Sequence, residues 1–248
     1  GLTLLDKKDT VDAPEVRDVN VMSFAGTGQN VESGVYQHEI QRTGVFEIEF
    51  WAIRNDTAGN HRILYPLADI GAGLAGWRVQ FPTGGDNLNM FISNDGANIL
   101  NNNFATGVDT TEWHLYKLVG DGSDVELFVD DVSVTSSAMT TGNFGGSQPV
   151  TTSIGSTASS LLGKICLTKV DDGSTGSFYY PLQEGEEVPY DVSGNDNHAT
   201  STNGVWSTTD GVPSWNHWKG FSLYDFITLT LLTIPALDLI PVLTQVPS

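Results

Sequence analysis

The chain of 248 residues has little with which to staple or coil itself together. It holds a single cysteine, Cys166, inside the apolar run "LLGKICLTKV". No disulfide can form within the chain and no Cys pair offers a metal site, so the thiol reads as core filler. A domain of this length buries roughly 70–75% of its unfolded surface and needs neither device. Basic residues are scarce as well: 11 Lys and Arg stand against 30 Asp and Glu, a formal charge of −19. Without a basic patch to neutralise phosphates, nucleic acid is repelled. Long apolar runs are missing. A transmembrane helix needs about 20 apolar residues, and the best stretch, "FITLTLLTIPA" (Phe226–Ala236), falls short and is broken by Pro235. Sustained helical periodicity is nearly absent too. Residues 1–20 are polar, begin without Met and do not resemble a signal peptide. The expectation is a processed product or part of a longer polypeptide.

What is present is alternation. In "VFEIEFWAI", Phe46, Ile48 and Phe50 point one way while Glu47, Glu49 and Trp51 point the other. "GWRVQF" places Trp77, Val79 and Phe81 on one face, and "NLNMFIS" adds another short run. "WHLYKLVGDGSDVELFVDD" (Trp113–Asp131) reads as an antiparallel hairpin around the turn "GDGSD". His114, Tyr116 and Leu118 share one face of its first strand, and Val125, Leu127 and Val129 share one face of its second. His114 reads as a hydrogen-bonded core residue, because a general base needs a nucleophile or substrate within reach. Short strands at turn-punctuated spacing predict an all-β, two-sheet antiparallel sandwich or jelly roll.

"TEWHLYKLVGDGSDVELFVDDVSV" followed by "TTSIGSTASSLLGKICLTKV" resembles the laminin-G/concanavalin A-like jelly-roll superfamily, with "MSFAGTGQNVES" (Met22–Ser33) as its first strand and turn. Asp131 stands where that pattern usually has Gly, so a different turn is expected after Val129. "FYYPLQEGEEVPYDVSGNDNHATSTNGVW" (Phe178–Trp206) resembles the Asp-x-Ser-Gly-Asn-x-x-His segment of the same superfamily, which usually precedes a jelly roll. Jelly roll, then this segment, then "WKGFSLYD" is an order that resembles tail and other virion structural proteins of bacteriophages. The resemblance implies residues 1–20 as a leader or arm and 21–170 as the jelly roll. It implies 171–220 as an extension packing on it, and 221–248 form an apolar C-terminal arm suited to docking on another subunit.

Candidate sites are few. Concanavalin A-like glucanases carry a Glu-x-Asp-x-x-Glu strand, of which "EIEFWA" keeps only Glu47 and Glu49, so the paired carboxylates of a retaining hydrolase are not met. "FISNDGANILNNNF" (Phe91–Phe104) reads as a rim loop for sugar hydroxyls, with Asn94, Asp95, Asn98, Asn101, Asn102 and Asn103 as ligands. Trp206 is its candidate stacking partner, with Trp215 and Trp218 further on. Asp191, Ser193, Asn195 and Asn197 of "DVSGNDNH" alternate oxygen-bearing side chains as the first half of a calcium loop does, though Asx-turn bonding explains the same spacing. Asp130 and Asp131 are a weaker pair, and Ca²⁺ is the only cofactor suggested. The expectation is a non-enzymatic bacteriophage virion protein at the particle surface, on a tail fibre or tail tip. It would bind host-surface glycan and associate with other virion proteins and with copies of itself. A capsid-decorating protein that binds no sugar is the alternative, and a glycan-degrading enzyme is less favoured.

Overall fold

The computed structural model describes residues 17–212, apart from Thr27, Asp95 and residues 67–75, 146–148, 156–160 and 183–187. The expected leader, apart from residues 17–20, lies outside the described residues, as do the C-terminal arm, Asp95, Trp215 and Trp218.

Two antiparallel sheets face one another. The first runs in the order β10 (Val132–Ala138), β9 (Asp124–Val129), β8 (His114–Asp121), β3 (Val45–Arg54), β12 (Leu162–Asp171), β1 (Arg17–Ala25) and β15 (Val205–Val212). The short β13 (Phe178–Tyr180) also pairs with β12. The second runs β14 (Ala199–Thr202), β2 (Asn30–Gln37), β11 (Pro149–Gly155), β4 (His61–Pro66), β5 (Gly76–Phe81), β6 (Asn87–Asn94) and β7 (Ala97–Ala105). One helical turn, α1 (Ile40–Thr43), follows β2.

The period-2 pattern explains which side chains meet between the sheets. Phe46, Ile48 and Phe50 of β3 are buried, as are Tyr116 and Leu118 of β8 and Val125, Leu127 and Val129 of β9. Against them lie Trp77, Val79 and Phe81 of β5 and Leu88, Met90 and Ile92 of β6. Phe81 meets Tyr116 edge-on with ring centroids 5.3 Å apart, across the sandwich. Truncating one such aromatic to Ala costs about 3–5 kcal/mol. The Cys166 side chain is fully buried, as core filler should be.

The hairpin around Gly122 forms as the sequence predicts, with Tyr116 opposite Val129 and Leu118 opposite Leu127. Gly122 takes φ +91°, and the Asp121 carboxylate accepts the N–H groups of Ser123 and Asp124 at 2.7 and 2.8 Å. After Val129 the chain turns on Asp130 (φ 51°) and Asp131 (φ 63°). Both lie in the left-handed region that a two-residue type I′ turn demands, and Asp tolerates it better than most residues other than Gly. Asp131 therefore substitutes for the usual Gly without opening the hairpin.

Residues 171–212 supply strands to both sheets. β15 pairs with β1 from Arg17↔Val212 to Ser23↔Val205, and β14 pairs with β2, so this region completes both sheets. The bulge in β12 between Cys166 and Lys169, with Leu167 at φ 52°, lets β13 take over beside β12 beyond the end of β1.

Candidate functional site

Strand register builds two polar rows across the outer face of the second sheet. Cross-strand partners share a face. One row runs Glu32↔Ser153↔Tyr65, then Arg78↔Phe91↔Asn101. The other runs Arg62↔Gln80↔Asn89↔Asn103. A bulge at Ile63 joins them: Arg62 pairs with Gln80 and Leu64 with Val79, so one antiparallel step further sets Tyr65 across from Arg78. The same bulge turns Ile63 and Leu64 both into the core.

Aromatic rings hold the two guanidinium groups. Arg62 lies 4.2 Å from the Tyr65 ring centroid, and Arg78 lies 5.1 Å from that of Phe91. Burial, and then the neighbouring charge of Arg62, lower the Arg78 pKa. Among the described residues the Arg78 side chain has no hydrogen bond or ion pair, and its Nε is sealed from solvent without an acceptor. The Asn89 amide nitrogen donates to the Asn101 Oδ1, the Asn102 carbonyl and the Asn103 Oδ1 at 3.3, 3.0 and 2.8 Å. These contacts lock an amide ladder on β6 and β7, with Asn101 and Asn103 exposed.

The expected rim loop is thus an edge hairpin. Asn98, Asn101, Asn102 and Asn103 lie on β7, because Leu100 and Phe104 turn inward and set the alternation. Asn101 and Asn103 join the polar face, whereas Asn102 sits opposite Met90, on the other face of the sheet. Asn94, at the end of β6, donates to the Asn143 carbonyl at 3.2 Å, and Asn143 donates to the Asn98 carbonyl at 2.8 Å. Trp206 is not brought to these residues. It pairs with Met22 on β15, the edge strand of the other sheet.

Asp191 closes its own loop. Its Oδ1 accepts the N–H groups of Tyr179 and Ser193 at 2.8 and 2.9 Å, and its Oδ2 accepts the Ser193 hydroxyl and Asn197 N–H at 2.8 and 2.9 Å. The Asn195 and Asn197 amides donate to the Ser177 carbonyl at 2.9 and 2.8 Å. The Asp191 carboxylate thus serves the loop's own N–H and hydroxyl donors, the Asx-turn bonding that the spacing also allows. Asp130 is similarly committed: it accepts from His114 Nδ1 at 2.7 Å and from the Leu115 N–H at 3.0 Å. That hydrogen bond, working against partial burial, raises the His114 pKa. His114 is hydrogen-bonded and half-buried, with the acid at 130 as its partner.

Two arrangements have the outline of catalytic groups. Glu47 and Glu49 share the outer face of the first sheet. Partial burial pushes Glu47 up, but Lys169 at 2.7 Å and Lys117 hold it below its usual range. Burial, and then the Glu47 charge, raise Glu49. The ion pair with Lys169 occupies the carboxylate a nucleophile would need. The second arrangement is Asp172, His38 and Thr152, which form a relay through His38 Nδ1 (3.2 Å) and Nε2 (3.0 Å). It is sealed between the sheets, with the His38 and Asp172 side chains fully buried and Trp77 edge-on at 5.5 Å. No substrate reaches it.

No protein-family model matches the sequence, and no curated protein does. A proposed carbohydrate-binding protein from Bacteroides ovatus ATCC 8483 is similar in structure, with TM-score 0.56 and 13% identity. The match covers 78% of this chain and 61% of that one, so this chain spans about three-fifths of that protein's length. The CBM40 of a Ruminococcus gnavus IT-sialidase, bound to alpha2,3 sialyllactose, is more distant (TM-score 0.43, 9% identity, 66% of this chain and 94% of that one). So are domains LG4-5 of the mouse laminin alpha1 chain (TM-score 0.45, 10% identity, 76% and 53%). At 13% identity the Bacteroides ovatus match bears on the fold alone. Together with the two sheets described above, it establishes a two-sheet antiparallel jelly-roll sandwich.

Proposed function

We propose that the protein is a non-enzymatic glycan-binding module that uses the outer face of its second sheet. The observation that carries this reading is the pair of polar rows, in which ring-held guanidinium groups stand beside a ladder of side-chain amides. Sugar hydroxyls need donors and acceptors at fixed spacing, and a sheet face supplies them without loop ordering. The description of the Bacteroides ovatus protein as carbohydrate-binding agrees with it. The particle setting is the finer part of the proposal: a bacteriophage virion surface, on a tail fibre or tail tip, where repeated copies turn weak contacts into avidity. It is supported by the order of sequence segments that resembles such proteins.

A glycan array probed with the full chain tests the reading. Binding is expected, and it is expected to drop at least tenfold when Asn89 or Asn101 becomes Ala. An empty array, with the chain binding assembled capsids instead, would favour the capsid-decorating alternative. Reducing ends released from polysaccharide would favour the enzyme.

A further inference from the structure

The Arg62–Arg78 pair is costly in a way that points to its ligand. Arg62 and Arg78 lie in neighbouring rows of one sheet face, close enough for the Arg62 charge to disfavour that of Arg78, and this chain has few cations to spend, 11 against 30 acids. Among the described residues, Arg42 pairs with Glu39, Arg54 with Asp86, and Lys117 and Lys169 with Glu47. Arg78 has no carboxylate among the described residues, yet register and a bulge hold it beside Arg62. We infer that this pair receives the carboxylate of an acidic sugar, a uronate or a sialate, so that the site's ligand class is an anionic glycan. The inference rests on the glycan-binding reading and narrows it.

The chemistry is specific. A guanidinium fork is planar and meets a carboxylate through two parallel N–H···O bonds. Stacking on Tyr65 and Phe91 fixes both forks before the ligand arrives, which lowers the ordering cost of binding. Asn101 and Asn103 lie exposed in the same rows and suit the hydroxyl and amide groups of a sugar ring, with the buried Asn89 amide holding them in place. An isolated phosphate or sulfate would use the forks but not the amides.

Calorimetric titration of the full chain tests this with five probes: trigalacturonate, 3′-sialyllactose, 3′-sulfolactose, and the neutral counterparts galactotriose and lactose. At least one acidic probe is expected to bind about tenfold or more tightly than its neutral counterpart. Arg78→Gln should abolish that preference, bringing the acidic probe to the affinity of its neutral counterpart. Arg62→Gln should weaken it, and Arg78→Lys should keep the charge but lose most of the preference. Melting temperature checks that each variant is folded, and the Lys variant serves if the Gln variant is not. Equal affinity for acidic and neutral probes overturns the inference and leaves the glycan reading standing. An acid preference untouched by all three variants also overturns it, as does 3′-sulfolactose matching the better acidic probe. No binding by any probe overturns both.

Discussion

Replacing Asp172 with Asn keeps the side chain's size and removes its charge from the most enclosed polar network in the sandwich. The carboxylate accepts from His38 Nδ1 at 3.2 Å, the Glu39 N–H at 2.7 Å, Ser174 N–H and hydroxyl at 3.1 and 2.5 Å, and the Ser177 hydroxyl at 3.1 Å. An amide returns one acceptor oxygen but points an NH₂ at donors. Breaking a buried charged network of this kind costs about 3–5 kcal/mol. For a domain near 200 residues that lowers Tm by about 6–20 °C. The pH dependence is the sharper signature. Burial alone would raise the Asp172 pKa, yet His38, Ser174 and the Glu39 N–H together hold it far below the usual carboxylate range. Its stabilisation is therefore full above the unfolded value of about 3.9 and is lost as pH falls toward the depressed folded value. Urea unfolding should show wild type losing about 1 kcal/mol more than Asp172→Asn between pH 5 and pH 3. A gap below about 1 kcal/mol at pH 7, or one that stays constant down to pH 3, would refute the argument.

Asp191→Ala should cost about 2–4 kcal/mol by orphaning the Tyr179 and Asn197 N–H groups. EDTA and millimolar Ca²⁺ should leave the wild-type Tm unchanged, and a calcium-dependent rise would show an ion displacing those bonds. The His114–Asp130 pair should stabilise fully below pH about 6.5 and lose its effect as pH rises through the raised folded value. With Asp130 41% exposed the effect stays under about 1 kcal/mol, and an NMR titration of His114 in Asp130→Asn should return its pKa toward normal. Glu49→Gln should be neutral or slightly stabilising at pH 7, because the fold disfavours that charge. Glu47→Gln should cost up to about 1 kcal/mol by stripping Lys169 of its partner. A hydrolytic pair would instead show reducing-end release that each substitution abolishes.

Alternation made β3, β5, β8 and β9 legible in the sequence because their inner faces are built from Phe, Leu, Ile and Val, while the outer faces carry Glu, Lys and Arg. β7 was hidden by composition. Asn is depleted in strands, so "NILNNNFA" reads as a loop until Leu100 and Phe104 are seen to share a core. The polar rows were half visible: Arg78 and Gln80 alternate with Trp77 and Val79, but the bulge at Ile63 that delivers Arg62 and Tyr65 leaves no mark in the sequence. His38 and Asp172 are 134 residues apart, and no local pattern links them. The "DVSGNDNH" segment lies between β13 and β14, so it connects strands of the two sheets.

For an acidic protein to read an acidic sugar, as proposed above, looks contradictory until the two length scales are separated. The charge of −19 acts at a distance, over a Debye length of about 8 Å at physiological salt. It repels a polyanion whose phosphates recur every few ångströms and meet the whole surface. A glycan presents its carboxylate on a ring whose other groups are neutral hydroxyls, so only that carboxylate meets the field. At contact the balance reverses, because the nearest charges are the two guanidinium groups and the nearest dipoles are the amides of Asn101 and Asn103. Salt then acts oppositely on the two stages. Screening the distant acids speeds encounter, while the bonds at the forks weaken only modestly because Arg78 is partly buried. Net acidity thus acts as a filter against nucleic acid and other dense polyanions, and the Arg pair as the reader of the sparse charge that remains.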